Sequence, residues 1–588
     1  MIIAVAVAVL GITYWRLWYG VDLTDESFYV VEPYRFVMGA RPFVDETSVT
    51  QQTTAILLYP FVRAYYALAG TTGIVLFVRH LQFLLSLLVA LAVYVSLRLV
   101  LDVRRTLPVA LAAVAFVPFA IHSLSYDSVG SSLFTAGCLL GVRPLVEPGA
   151  RRLRLLSALC LGLAAFAYPP LIIPVAVCVA VRIALAHGNR RREAVAHGLP
   201  ALGLPTAGMA SLIGIAGLSK VVDDYKRSSR FLGQGGGFTK LHRIVLHEWS
   251  TFPFWYLVLP ALALLAVTWR YRRGLAVVVL AALPFLALPP RLTFFTTSLD
   301  FVAHYGWLAL PLFVLVRRRP GAVPLFLAVW LPSLVAGVTT AYSSANGGVN
   351  FGVGFFPATI VTSVFLVFAA EDALDRLGRR LDLRALALAP ALAVLAFLVA
   401  SDTVPVYRDS SLSKLQARVT QGPYAGLLTS ATKRAYLTRL QRDLAPFGPR
   451  CTILFFDDFP AGYMLTEARP DTNGAWVASV APKLVKPYQD ALLRYYRRRG
   501  YPDVVVVVRR IPYAARSSGR TLYYRTTEPL LAAVRSPPYR LLRWRRAYAI
   551  YGRSDAACGT SPAGVGELAV ARHLPSRATE SEKGERRE

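Results

Sequence analysis

Long apolar runs recur along this chain, and the short polar breaks between them carry the arginines. Residues 73–101, 106–122, 128–146, 197–217, 301–316 and 321–339 are each dominated by Ala, Val, Leu, Ile and Phe. An α-helix needs about 20 such residues to cross the hydrocarbon core of a bilayer, where peptide groups find partners only inside the helix. Only 17% of the 588 residues are charged and 55% are hydrophobic, too little polar surface to clothe a water-soluble protein of this size. The pattern predicts a polytopic α-helical membrane protein.

Arginine placement orients it. Lys and Arg collect in the cytoplasmic loops of membrane proteins. The amino terminus, "MIIAVAVAVLGITYWRLWYG", has no basic leader and no small-residue cleavage site, so 2–19 reads as a retained first span with its start inside. Residues 54–70 carry Arg63 among tyrosines and are expected to lie along the interface. The remaining runs are 155–168 and 170–186 (a pair broken by prolines), 251–269, 274–289, 355–370 and 385–400. Arg151, Arg152 and Arg154, then Arg190 to Arg192, Arg270, Arg272 and Arg273, and Arg317 to Arg319 all fall on one side. The reading gives about thirteen spans within residues 1–401, in a cell membrane, with a cytoplasmic start and the carboxyl end outside.

From 402 to 561 the chain changes character. "CTILFFDD" and "DVVVVV" read as buried strands, with "PYQDALLRYYRRRG" as a helix between them, which predicts a small extracytoplasmic α/β domain. Asp457 and Asp458 stand at a strand end, a position where α/β units can bind ligands. Residues 562–588 are polar and charged and are expected to be disordered. Cys138, Cys160 and Cys178 lie in apolar runs as small hydrophobes, whereas Cys451 and Cys558 could pair if the tail faces an oxidising compartment.

Against a net charge of +30, the stretch "VDLTDESFYVVEPYRFVMGARPFVDE" at 21–46 is conspicuously acidic. It opens the first external loop, 20–53. Carboxylates at an apolar boundary are costly unless solvated, paired or used. Asp45 and Glu46 suit a solvated interfacial loop. Asp25 and Glu26, just past the first span, suit general-base chemistry, in which a half-buried carboxylate takes a proton from a sugar hydroxyl.

The same residues carry a family resemblance. "DESFYVVEPYRFVMGARPFVDE", followed by "QQ", "YPFVRAYYALAG" and "VRHLQFLLSLL", resembles the first loop of the GT-C membrane glycosyltransferases, of the bacterial lipid A aminoarabinose transferase and protein O-mannosyltransferase types. Asp25 matches the family's base and Glu26 its acidic neighbour, with Glu32 in the same loop. "GARPFVD" is similar to the turn that follows. "SYDSVGSSLF" places Asp127 at the family's Asp step opening the fourth span, and "LAAFAYPPLIIPVAV" resembles its broken spans. The match covers about the first 190 residues well and the rest only in layout. Gln51 and Gln52 stand where some members have a Lys, Tyr168 and Pro169 replace a Thr-Lys step, and "NGGVNFGVGFFP" replaces an Arg-Tyr.

What the resemblance implies is an inverting transfer of a sugar from a polyprenyl phosphate to a cell-envelope glycan, lipid or protein, with Asp25 as base and Glu26 and Asp127 positioning the acceptor. Such chemistry wants cations at the leaving phosphate. Arg63, Lys220, Lys226, Arg227 and Arg230 are the candidates, the last four on a polar loop, 218–250, whose "GQGGG" would serve as a lid. Each also suits an ordinary snorkelling side chain. Asp223, Asp224, His242, His247 and Glu248 lack a metal-binding spacing, although some family members use a divalent cation, leaving Mg or Mn open. The basic tail suits anionic membrane lipids or cell-wall polymers, or simple solvation, and not nucleic acid outside a cell. Two other readings stand beside the enzyme. One is a lipid-linked sugar flippase, which would line its path with ionisable residues deep in several spans. The other is a membrane-anchored scaffold whose basic tail does the work. Mannose and arabinose are both open.

Overall fold

The computed structural model describes residues 2–47, 49, 51–147, 149–186, 190–232, 237–250, 296–376, 388–456, 459–475, 492–512, 520–521 and 538–555. The runs at 251–269 and 274–289, Asp457, Asp458, Cys558 and the stretch from Pro562 lie outside them. Among the described residues six helices are long and apolar enough to cross a membrane: Ile74–Leu97, Tyr126–Val146, Arg190–Ala216, Thr297–Val316, Ala322–Ser343 and Gly347–Ala373. Ile2–Arg16, Pro169–Leu185 and Ala389–Thr403 are apolar but shorter.

The helix over Phe351–Arg376 runs through the middle of the bundle, its apolar stretch wholly buried. Glycine explains how its neighbours come so close. A Cβ at Gly352 would sit 2.3 Å from the Leu299 carbonyl oxygen, and one at Gly354 would sit 2.3 Å from the Ala336 backbone. In an apolar solvent helices associate through such close backbone approach, because lipid supplies no hydrophobic drive. The "FGVG" step is therefore a packing device.

The proline break falls where the sequence puts it. Arg151–Ala167 ends, Pro169–Leu171 forms a single 3₁₀ turn, and Ile172–Leu185 resumes. Proline disfavours helical geometry at the residue before it, and Tyr168 is extended, with φ −131°. The Ala167 carbonyl left over by the break accepts hydrogen bonds from Thr53 Oγ1 (3.1 Å) and Thr54 Oγ1 (2.9 Å).

Residues 218–250 are not one polar loop, while 233–236 of the "GQGGG" stretch lie outside the described residues. Leu218–Leu232 and Phe238–Ser250 are helices. The first has Leu218, Val221, Val222 and Tyr225 at spacings of three, four and seven, an amphipathic pattern, and Val221 packs with Phe43, Phe166 and Leu212.

Beyond the last apolar helix, Thr452–Phe456 lies parallel to both Val504–Val508 and Arg469–Pro470. Antiparallel strands Tyr548–Arg553 and Tyr539–Trp544 complete a five-stranded mixed sheet. All five valines of 504–508 are buried, as a central strand covered on both faces requires, and 492–499 is helical. Main-chain bonds then stitch this segment to the first loop: Leu428 N–H donates to the Trp18 carbonyl (2.7 Å), Gly20 N–H to Leu428 (2.9 Å) and Thr47 N–H to Asn473 (2.8 Å).

Candidate active site

Four early helices frame the site: α1 (Ile2–Arg16), α2 (Asp25–Val37), α3 (Gln52–Ala69) and α4 (Ile74–Leu97). The turn between α1 and α2 is built by Asp22. Its Oδ1 accepts from Thr24 N–H (3.0 Å) and Thr24 Oγ1 (2.6 Å), and its Oδ2 accepts from Glu26 N–H (2.8 Å). A carboxylate over the unpaired amides of a first helical turn is a favourable N-terminal cap. Asp22 thus fixes where α2 begins, and with it where Asp25 points.

The acidic residues of the loop then separate into two kinds. Glu26 is buried, and both its oxygens are taken by Arg79 of α4, through Nε and Nη2 at 2.7 Å each. Arg79 spends its other donors on the carbonyls of Leu17 (2.6 Å), Tyr19 (3.1 Å) and Gly20 (2.8 Å). In this arrangement Glu26 has no oxygen to offer a substrate, so its place is that of a strut behind Asp25. Arg35 of α2 is likewise buried, pairing with Glu46, donating to the Thr472 carbonyl at 2.6 Å, and lying 3.5 Å from Glu32. Asp45 is no solvated surface group. It accepts from Arg41 N–H (2.9 Å) and pairs with Arg499 at 2.5 Å.

Asp25 is the exception. It keeps partial access to solvent, while Asp22, Glu26, Glu32, Asp45 and Glu46 are all buried. Its carboxylate accepts a hydrogen bond from Tyr407 Oη and lies 3.1 Å from Arg408 Nη1. Arg408 also donates to Thr24 Oγ1. Burial, and next the Asp25 charge, push the Tyr407 hydroxyl well above its usual range, which keeps it a donor.

Asp127 opens the helix Tyr126–Leu140, whose start is fixed by a reciprocal Ser125–Ser128 capping box. The carboxylate is buried and lies 3.4 Å from Asn350 Nδ2, a long hydrogen bond. The charges of Asp25 and Asp127 both act on Tyr29, whose hydroxyl is raised well above its usual range first by burial and then by those two groups. Tyr29, Tyr126 and Tyr168 form a row, with ring centroids 6.0 and 5.1 Å apart.

The Gln51 and Gln52 side chains, which stand in place of a lysine, are buried joints. Gln51 Oε1 accepts from Tyr126 N–H (3.0 Å), its Nε2 donates to Leu124 (3.3 Å), and Gln52 Oε1 accepts from Phe43 N–H (2.5 Å).

Arg63 is exposed on α3 and donates to Tyr59 Oη (3.1 Å). Lys220 pairs with Asp224 at 2.5 Å and donates to the Glu46 carbonyl, and Lys226 is exposed. Arg227 and Arg230 fall on that same helix, with side chains outside the described residues. Cys451 is buried beside the strand Thr452–Phe456, and the pairing with Cys558 cannot be read because Cys558 is not described.

A divalent metal does not fit this site. Among the described residues no three His, Cys, Asp or Glu side chains gather as ligands, and the Arg408 guanidinium already occupies the cation position on Asp25.

Sequence reasoning missed Asp22, Arg79, Tyr407, Arg408 and Asn350. Arg79 had a signal: an arginine inside an apolar span is expensive and so has a purpose. Tyr407 and Arg408 reach Asp25 from 382 and 383 positions away, a meeting that no local pattern encodes.

No protein-family model and no curated protein matches the chain. Among solved structures, the apo oligosaccharyltransferase of Archaeoglobus fulgidus is similar over 85% of this chain and 69% of its own, at 13% identity and a TM-score of 0.41. Apo ArnT from Cupriavidus metallidurans is similar over 94% of this chain and 96% of its own, at 14% identity and 0.40. ArnT bound to undecaprenyl phosphate gives 94%, 97%, 13% and 0.40. Both proteins are GT-C superfamily members. Likeness at this level carries no chemistry across, so function has to be argued from the residues above.

Proposed function

We propose that the chain is an inverting membrane glycosyltransferase that moves a sugar from a polyprenyl phosphate to a hydroxyl of a cell-envelope acceptor. The observation that carries this reading is the setting of Asp25, a carboxylate held by Tyr407 and Arg408 that keeps partial access to solvent. Of the carboxylates in residues 21–46 it alone keeps that access, and its charge and that of Asp127 both bear on Tyr29. A group so held is placed to take a proton.

In the reaction the acceptor oxygen attacks the anomeric carbon as its proton passes to Asp25. The bond from that carbon to the phosphate oxygen breaks, and the polyprenyl phosphate leaves with the electron pair. Asp127 and Asn350 orient the acceptor, and the ion pairs of Glu26 and Glu46 hold the loop still. Preorganised groups of this kind cost no rearrangement at the moment of reaction.

Asp25→Asn keeps the shape and removes the base. Transfer of radiolabelled sugar by purified protein in lipid should fall by at least about 100-fold, the lower range for general-base catalysis, with the thermal unfolding profile preserved. The assay offers polyprenyl-phosphate mannose and polyprenyl-phosphate arabinose separately. A variant that transfers at the parental rate would refute the assignment.

A further inference from the structure

We propose that Arg408 is the cation that receives the leaving phosphate, and that at rest it is parked on Asp25, so that donor binding frees the base. This rests on the glycosyltransferase reading above. Among the arginines around the loop, Arg16, Arg35 and Arg79 are almost wholly buried and committed to carbonyls or carboxylates. Arg41 and Arg499 are more exposed but pair with Asp45, whereas Arg408, with 34% of its side chain exposed, lies at the carboxylate the chemistry needs. It stacks over its neighbour Tyr407, 5.0 Å from the ring centroid, which steadies the planar fork.

The backbone points the same way. Arg408 has φ +48°, a left-handed conformation that side chains other than glycine rarely adopt. That conformation is imposed from both sides. Lys433 Nζ donates to the Arg408 carbonyl (2.7 Å), and Asp409 Oδ2 accepts from Val21 N–H (2.9 Å) and Thr429 Oγ1 (2.6 Å). Glycine would satisfy this geometry more easily, and strain retained at a site where two chain segments meet is a mark of function. The side chain is what the position keeps.

Inversion requires exchange of partners. The attacking and leaving oxygens lie on opposite faces of the anomeric carbon, so one guanidinium cannot hold Asp25 and the phosphate together. Arg408 must leave Asp25 as the anion arrives. As the sugar–phosphate bond breaks, its N–H groups take the charge that gathers on the phosphate oxygens, while Asp25, now released, accepts the proton. Bidentate pairing of guanidinium with phosphate favours the exchange.

The full-length protein in nanodiscs would be titrated with a polyprenyl phosphate and with the matching uncharged polyprenol. The parent should prefer the phosphate. Arg408→Gln and Arg408→Gly should lose that preference by roughly tenfold to a hundredfold, the range for one charged hydrogen-bonding group. Arg408→Gly is informative because glycine accepts the backbone angle, so loss of binding cannot be laid to misfolding there. Arg408→Lys, which keeps the charge but not the fork, should retain part of the preference. Asp25→Asn should bind the phosphate more tightly than the parent, since the competing carboxylate is gone. Unchanged phosphate preference in both Arg408→Gln and Arg408→Gly, or weaker phosphate binding by Asp25→Asn, would overturn the inference. The two readings fail separately. Transfer surviving in Asp25→Asn removes Asp25 as the base, and no transfer by the parent with either donor removes the enzymatic reading. Transfer lost there, with phosphate preference intact in the Arg408 variants, removes only the role of Arg408.

Discussion

If Glu26 is a strut, cutting its tie to Arg79 should unfold the loop's support before it touches the chemistry. Arg79→Met strands an ionised carboxylate in a buried position, and breaking such a pair by removing one partner costs about 3–5 kcal/mol. It also strips a charged donor from the carbonyls of Leu17, Tyr19 and Gly20, so the upper half of that range applies. Glu26→Gln leaves those three carbonyl bonds in place and exchanges a charged partner for a neutral one, a loss of about 1–3 kcal/mol. The double variant removes both charges together. Its loss should therefore be smaller than the sum of the singles, with a coupling of roughly 0.5–3 kcal/mol for residues in direct contact. The measurement is unfolding of the four proteins in one detergent, alongside sugar transfer normalised to folded protein. Per folded molecule, Glu26→Gln should lose far less activity than Asp25→Asn. The reasoning fails if Arg79→Met is as stable as the parent. It fails equally if Glu26→Gln is as inactive as Asp25→Asn while remaining as stable as the parent, because Glu26 would then be acting on substrate.

Two further outcomes are expected. Burial raises the Glu32 carboxyl from its ordinary 4.5 to about 7, against the pull of Arg35. The folded protein then holds a proton that the unfolded chain has released, so this group's contribution to stability falls as pH rises from about 4.5 to about 7. At 1.36 kcal/mol per unit the loss approaches ~3 kcal/mol. Glu32→Gln should flatten that decline, making the variant gain on the parent at pH 8 and not at pH 4, as unfolding curves at both values would reveal. In the bundle, Gly354→Ala would drive a Cβ to 2.3 Å from the Ala336 backbone and should destabilise by about 1–3 kcal/mol. Gly214→Ala, with nothing within 4 Å, should be neutral or mildly stabilising in the same unfolding measurement.

The parts of the fold that local chemistry dictates were legible. Pro169 and Pro170 break the paired helices where the sequence says they must, and the five valines of 504–508 can hardly be anything but a covered strand. That the acidic residues of 21–46 need partners follows from the sequence too, because carboxylates at the end of an apolar run demand a reason. The helix Leu218–Leu232 is masked in the sequence by Lys220, Lys226, Arg227 and Arg230, which mark the stretch as polar, although Leu218, Val221, Val222 and Tyr225 carry helical spacing. Which acid pairs with which base lay beyond reach. Glu26, Asp45 and Glu46 find their arginines at 79, 499 and 35, and only the folded chain decides that Asp25 meets Arg408.

An acidic loop in so basic a chain makes sense on these terms. The loop is where the first apolar helix, the span Ile74–Leu97 and the segment following the last apolar helix meet, and each brings cations to that meeting. Arg79 comes from the span, Arg408 and Lys433 from the segment beyond residue 403, and Arg499 from the helix at 492–499. A buried charge is tolerable only when matched, so the carboxylates of Asp22, Glu26, Glu46 and Asp45 work as specific latches among helix amides, arginines and main chain. With those latches closed, Asp25 keeps partial access to solvent and pairs with a guanidinium whose side chain is about one-third exposed. That last pair can be opened by an incoming anion without disturbing the others. A reactive carboxylate and a rigid support can thus be drawn from one run of acidic residues, the difference between them being which cation each has met.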